Sequence, residues 1–444
     1  MQMYGLFKRV FVRLFARIRY TLNNKEEKAV SRRCIIVSNC STNVVANLIG
    51  GNFLTGFLLL LNADDAFMGL VTMAAFAGNM LQILSPLLLE RFPSRKKILI
   101  FSRCVIYVLN VIFIGIVPFF GFSDGIKLTM IIIIILLVNI ISALTAPGFS
   151  VWHIKNIPEN TRANYFSFYS VANGIIVYSI ILAGSSIVDY FKVSGRELQG
   201  LIILRIVALF FCAIDAFFMF KIKEHPNERN EEPLNLKNVI LAPFKCKKYL
   251  VTVLIGCMWN FAANIPGPYF TVYMLKDLKV QYSYLNMVNM LNVPILLLFT
   301  PLWKKRIQRT SWFKTLYFSM SIYLIHYIGL SFVSEKTFFL HLIFTIYAFA
   351  VAPGINLPFA NIPFINMPEK NQTNFIGFYS AVNNFAALLG ATVGKEFITR
   401  TESLKITLLG IQMQNKQYLL ILTSAVMLVS TILIYFLQKD KKPQ

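Results

Sequence analysis

Asn156–Gly174 reads NIPENTRANYFSFYSVANG, and Asn366–Asn384 reads NMPEKNQTNFIGFYSAVNN. The two stretches align without a gap at an offset of 210 residues, with Asn156/Asn366, Pro158/Pro368, Glu159/Glu369, Asn164/Asn374, Phe168/Phe378, Tyr169/Tyr379, Ser170/Ser380 and Asn173/Asn383 identical. A second match pairs NVVANLIGGNF (Asn43–Phe53) with NFAANIPGPYF (Asn260–Phe270) at an offset of 217, sharing Asn43/Asn260, Ala46/Ala263, Asn47/Asn264, Gly50/Gly267 and Phe53/Phe270. A third, SPLLLER from Ser85 against TPLWKKR from Thr300, shares Pro86/Pro301, Leu87/Leu302 and Arg91/Arg306. The chain is thus written twice, with the copies differing in loop length.

The material that is duplicated is apolar. Of 444 residues 56% are hydrophobic and 14% charged, 40 are Phe, and the mean hydropathy is +0.61, too apolar for a soluble domain of this length. A helix needs roughly 20 apolar residues to cross a hydrocarbon core. Stretches of that kind lie near 35–61, 66–89, 98–119, 128–149, 164–189 and 200–220, and again near 250–274, 283–302, 314–333, 338–358, 373–394 and 417–437. The expected fold class is therefore all-α integral membrane, with 12 transmembrane helices. The repeated sentence falls between the fourth and fifth stretches of each half.

The formal charge of +23 is explained by its placement. With both termini cytoplasmic, inner segments hold 31 Lys and Arg and outer loops 9, while Arg103, Arg205 and Lys395 in or beside spans complete the total of 43. That asymmetry is the positive-inside pattern, so the charge records topology and implies no nucleic-acid partner. Within the acid-free first 24 residues, LFKRVFVRLFARIRY (Leu6–Tyr20) sets Phe7, Val10, Phe11, Leu14, Phe15 and Ile18 on one helical face and Arg9, Arg13 and Arg17 on another, suited to the lipid of the inner leaflet. The domain boundaries that follow are a cytoplasmic basic N-terminus (1–34), a six-helix bundle (35–220), a charged cytoplasmic linker (221–249), a second six-helix bundle (250–437) and a cytoplasmic tail (438–444).

Two six-helix halves of like orientation are parallel repeats about an axis along the membrane normal, and this architecture resembles the major facilitator superfamily (MFS). The loop PLLLERFPSRKK (Pro86–Lys97) is similar to that family's acid-and-base loop after the second span, with Glu90 and Arg91 in the Asp-Arg positions and Arg95 and Lys96 as the later bases; Pro86 and Pro93 stand where the family has glycine. The resemblance implies transport by alternating access. It also implies that Glu90, Arg91, Arg95 and Lys96 form a cytoplasmic gate lock, within reach of Arg103 in the third span. Structural capping of helix starts by Pro158 and Glu159, and a snorkelling role for Arg103, are the plainer readings.

Asn43 with Asn47 and Asn260 with Asn264 are each one helical turn apart, as are Tyr169 with Asn173 and Tyr379 with Asn383. In lipid an amide needs a partner, so these faces either hold neighbouring helices together or line a wet cavity. Their recurrence in both halves, on spans that line the cavity in the resembled family, favours a substrate cavity of Asn43, Asn47, Tyr169, Asn173, Trp259, Asn260, Asn264, Tyr379 and Asn383, with Asn79, Gln82 and Asn289 as weaker companions. Amides and aromatic rings suit a neutral, hydroxyl-rich or amphipathic small-molecule solute. Asp215, in the sixth stretch, is the one acid well inside a span and the candidate for ion coupling, with protons as the expected ion; a structural partnership with Arg103 or an inner-loop base is the competing reading. Lys395 and Glu396 read as an interfacial pair.

His153, His225, His326 and His341 lack metal-ligand spacing, and there is no nucleotide-binding Gly-rich loop, so the sequence implies no metal, no cofactor, no catalytic residues and no enzyme. The expectation is a monomeric secondary transporter of the plasma membrane, a proton symporter for a neutral sugar-like solute. Efflux of amphipathic compounds and a non-transporting receptor of the same fold are the alternatives.

Overall fold

The computed structural model describes residues 27–89, 92, 94–158, 161–224, 241, 243–368, 372–402, 406–408 and 411–439. The basic N-terminal helix, Glu90, Arg91, most of the linker and the tail lie outside them.

Every apolar stretch read from the sequence is helical. The first half holds α1 (Glu27–Ile49), α2 (Gly51–Leu60), α3 (Asp65–Met80), α4 (Lys96–Tyr107), α5 (Asp124–Ile154), α6 (Arg162–Val193) and α7 (Glu197–Lys221). The second half holds α8 (Lys247–Ala263), α9 (Tyr282–Met290), α10 (Asn292–Arg309), α11 (Trp312–Ser331), α12 (Phe339–Ile365), α13 (Gln372–Arg400) and α14 (Asn415–Lys439). A short hairpin, β1 (Ile406–Leu408) against β2 (Ile411–Met413), precedes α14. Among the described residues ten stretches are long and apolar enough to cross a membrane. The regions around 250–274 and 314–333 are helical but fall outside that set.

Local chemistry explains where helices stop. The turn before α3 uses Asn62 at φ 60°, and Asp64 then caps α3 by accepting from the Phe67 amide at 2.7 Å, an arrangement worth about 1 kcal/mol. Both halves interrupt their first helix within the matched segments Asn43–Phe53 and Asn260–Phe270. α1 gives way to α2 at Gly50–Gly51, where Gly51 has φ +52°, and α8 ends before Pro266–Gly267–Pro268, where Gly267 has φ +46°. The stretch 250–274 is therefore two helical pieces, because two prolines supply no amide donors and a glycine takes a left-handed conformation. In α12 the missing amide of Pro358 frees the Gly354 carbonyl, and Ser319 Oγ of α11 donates to it at 2.8 Å, as hydrocarbon surroundings require.

The chain divides into two compact units, one of residues 1–54, 84–122 and 141–231, the other of residues 55–83, 123–140 and 232–444. In the first, α1 packs mainly on α7 and α6, over a core including Ile35, Leu99, Phe149, Trp152, Tyr165 and Met219. In the second, α11 packs on α12 and α14, α8 on α13, and α3, from the first half of the chain, on α13. Side chains such as Phe101 (69%), Phe210 (65%) and Leu298 (68%) are largely exposed. So many apolar groups facing outward fit a lipid solvent and not water.

Gly390 and Gly394 let α13 touch the end of α8. A Cβ at Gly394 would collide with the Ile265 carbonyl oxygen, and one at Gly390 with that of Phe261. Gly394→Val is expected to lower stability by about 1–3 kcal/mol or more, through overpacking against backbone. Gly125→Ala, which meets open space, should leave the melting temperature of the purified protein unchanged, and thermal unfolding in detergent checks both.

Candidate functional site

In the first unit, Asn43 on α1 donates through Nδ2 to Tyr169 OH and to Asn173 Oδ1 on α6, each at 2.8 Å. In the second, Asn260 on α8 donates through Nδ2 to Asn383 Oδ1 on α13 at 2.9 Å. The residues matched in the sequence therefore meet in each copy, as the same helix-to-helix clasp. Gly256 makes room for the second one, since a Cβ there would lie 2.5 Å from Asn383 Oδ1 and 2.7 Å from Tyr379 OH. Asn47 and Asn264, one turn further along, turn their Nδ2 groups back to the Asn43 and Asn260 carbonyls at 2.8 and 2.7 Å. Their Oδ1 atoms make no other bond among the described residues.

Trp259, next to Asn260, lies 5.7 Å from the Phe359 ring at 31° and 5.9 Å from Tyr323 at 64°. The three form an aromatic wall on the second unit, with His326 and Tyr327 continuing it beyond Tyr323. Gln82 accepts from Ser380 of α13 at 3.0 Å.

Further along the same helices a second pair of equivalent contacts appears. Tyr165 OH donates to the Arg32 carbonyl at 3.0 Å, and Tyr249 OH donates to the Phe375 carbonyl at 2.6 Å. Offsets of 217 and 210 map Arg32 on Tyr249 and Tyr165 on Phe375, so the contact is kept while the hydroxyl has changed sides. Asn156 and Asn366 of the repeated sentence also hold loops. Asn156 Nδ2 reaches the Trp152 carbonyl at 3.0 Å and that of Lys223 at 3.3 Å, and Asn366 Nδ2 reaches Thr252 Oγ1 at 2.9 Å.

Asp215 is fully buried in α7. Ser38 Oγ and Tyr107 OH donate to its carboxylate, and Thr42 Oγ1 donates to it at 3.0 Å while lying 3.1 Å from Tyr107 OH. Its partners are hydroxyls and not Arg103, whose guanidinium stacks over Phe149 at 4.3 Å with a buried, unbonded Nε. Ser38 and Thr42 are one turn apart on α1, a signal present in the sequence but indistinguishable there from ordinary hydroxyls in an apolar helix.

Arg95, Lys96 and Arg103, the described members of the expected gate, make contacts with groups outside it. Glu90 and Arg91 lie outside the described residues. Arg95 Nε donates to the Leu89 carbonyl at 2.9 Å. Lys96 Nζ donates to the Phe220 and Ile222 carbonyls, both at 2.8 Å, while the Lys96 amide and Ser94 Oγ donate to Glu224 at 3.0 and 2.9 Å. The acid that answers this loop is thus Glu224, at the exit of α7, which the sequence reading did not single out. Nor do Lys395 and Glu396 pair with each other: Glu396 meets Arg400 at 3.3 Å, and the Lys395 stem packs beside Gly69.

Equivalent polar clasps thus join α1 to α6 in one unit and α8 to α13 in the other. The family model of the Major Facilitator Superfamily matches residues 36–391, and the chain belongs to that family. Its structure is similar to a mutant form of the nucleoside transporter NupG, with a TM-score of 0.65, 14% identity and coverage of 93% of this chain and 100% of that one. It is also similar to a bacterial homologue of the iron transporter ferroportin in an inward-facing state (0.68, 12%, covering 92% and 98%) and to a D-xylose-proton symporter (0.63, 11%, covering 91% and 97%). No curated protein matches.

Tyr165→Phe and Tyr249→Phe are each expected to destabilise by about 1 kcal/mol, the net value of one hydrogen bond, and Asn173→Ala and Asn383→Ala by about 0.6–2 kcal/mol. Matched losses from equivalent positions, read by thermal unfolding, would show that the duplicated contacts carry equal weight.

Proposed function

We propose that this chain is a twelve-span secondary transporter of the plasma membrane, built from six-helix bundles over 35–220 and 250–437, that takes up a neutral, hydroxyl-bearing small organic solute with protons. The observation that carries the solute class is the pair of equivalent amides, Asn47 and Asn264, one turn beyond the clasps, whose Nδ2 groups are held by the carbonyls one turn before them. Two amide acceptors at equivalent positions of the two copies suit hydroxyl or amine hydrogens of an uncharged molecule. The aromatic wall of Trp259, Tyr323 and Phe359 offers a stacking face next to Asn260. That same wall supports efflux of amphipathic compounds as the second reading.

Proton coupling rests on the surroundings of Asp215. A carboxylate answered by lysine loses an ion pair when it is protonated. One answered by Ser38, Thr42 and Tyr107 needs only to turn an O–H, because a hydroxyl both donates and accepts. Both protonation states are thus bonded. The positive-inside count supports a cytoplasmic setting for the basic loops and both termini. The gate reading assigns Arg95, Lys96 and Glu224 to the cytoplasmic end, with Glu90, Arg91 and Arg103 as its remaining members.

The tests use purified full-length protein and proteoliposomes. A sugar or nucleoside is expected to raise the apparent melting temperature of the native chain and to lose that shift in Asn47→Ala and Asn264→Ala. An amphipathic drug as the sole stabilising class would favour efflux. Asp215→Asn is expected to abolish accumulation driven by a pH gradient while leaving solute exchange intact; unchanged accumulation would remove Asp215 from coupling.

A further inference from the structure

Lys416 is the second residue of α14, yet its side chain is only 5% exposed and its Nζ lies 2.9 Å from Asp277 Oδ2 and 3.2 Å from Asp65 Oδ2. Three segments meet at this ammonium. Asp65 opens α3, Asp277 ends the π-helical turn Tyr273–Asp277, and Lys416 opens α14. The first belongs to the first half of the chain and the others to the second. All three lie at the end of the helices opposite the basic loops.

Asp65 suits the start of α3, but the other two placements are poor for stability. A cation at a helix N-terminus and an anion at a helical C-terminus both oppose the local dipole, and a buried ion pair gains little over apolar packing. The surroundings are also incompletely bonded, since Asp65 Oδ1 and Tyr269 OH are buried without a hydrogen-bond partner. Just beyond, Gly69 removes the bulk that would keep α3 from Tyr269 and from the Lys395 stem of α13: a Cβ there would collide with the Tyr269 hydroxyl and lie 3.0 Å from the Lys395 Cβ. The seam between α3 and α13 is therefore closed directly beneath the ion pairs, by contacts that are tight yet leave polar groups unanswered.

We propose that Lys416, Asp65 and Asp277 form a latch that holds this end of the transporter shut, and that the latch opens once in each transport cycle. This rests on the alternating-access reading above. Lys416 is the positioning residue: it touches no solute, and it acts by tying α3 to the second half of the chain. Release frees α3 from α13 along the seam that Gly69 closes.

Met68, next to Gly69, one turn from Asp65 and 2% exposed, is the reporter position for the seam. The full-length Met68→Cys variant is placed in nanodiscs, where both faces meet reagent, and its labelling by a charged maleimide is followed by peptide-resolved mass spectrometry. Ile255→Cys, in the α8 core and fully buried, reports unfolding. Lys416→Gln and the double variant Asp65→Asn with Asp277→Asn are each expected to speed Met68→Cys labelling about tenfold. Asp65→Asn alone should give a smaller rise because Asp277 remains, and Lys416→Arg should stay slow. Labelling within twofold of the parent in Lys416→Gln, or a parallel rise at Ile255→Cys, overturns the latch and leaves a purely structural ion pair; should Lys416→Gln not fold, the double variant decides by the same criterion. The assay needs no solute, so a responsive seam in a protein that moves none of the solutes tried would sink the transport reading and not the latch.

Discussion

A backbone amide in hydrocarbon has no water to turn to, and most of this structure follows from that. Helices answer their own amides within a single segment, which is how each apolar stretch meets that demand. Where the sequence breaks a helix, another group must step in. Ser319 donates to the carbonyl that Pro358 leaves open, Asp64 answers the first turn of α3, and Arg205 of α7 donates to the Asn110 carbonyl inside the π-helical part of the third span at 2.8 Å.

The same constraint governs side chains, and here the duplication is instructive. Asn43 and Asn260 each reach the fifth helix of their own half and find an asparagine there. Identity of residue was kept because an amide that lost its partner in this medium would be costly. At Tyr165 and Tyr249 identity was not kept. The hydroxyl moved to the opposite helix, and the acceptor became the backbone carbonyl across from it. A carbonyl is present whatever the side chain, so a tyrosine on either helix satisfies the contact.

The proposed proton coupling adds a demand that packing does not. A carboxylate that changes its proton must be bonded in both states, which hydroxyls permit and a fixed cation does not. The contrast between Asp215, ringed by Ser38, Thr42 and Tyr107, and the Asp65–Lys416–Asp277 cluster is of that kind. Under the proposed coupling the first re-orients in place, and under the proposed latch the second forms or separates.

The helices, the duplication and the clasp residues were legible in the sequence because each depends on spacing along one strand of text: about twenty apolar residues to a span, four residues to a turn, a constant offset between copies. The partners of charged groups were not legible. Glu224 at the Lys96 loop, the hydroxyls about Asp215 and the seat of Lys416 between two aspartates join residues up to 351 positions apart. Nothing in the spacing of the chain records such pairs. A buried charge takes whatever group of opposite character the packing of helices brings within about 3 Å, and that packing exists only once the chain has folded.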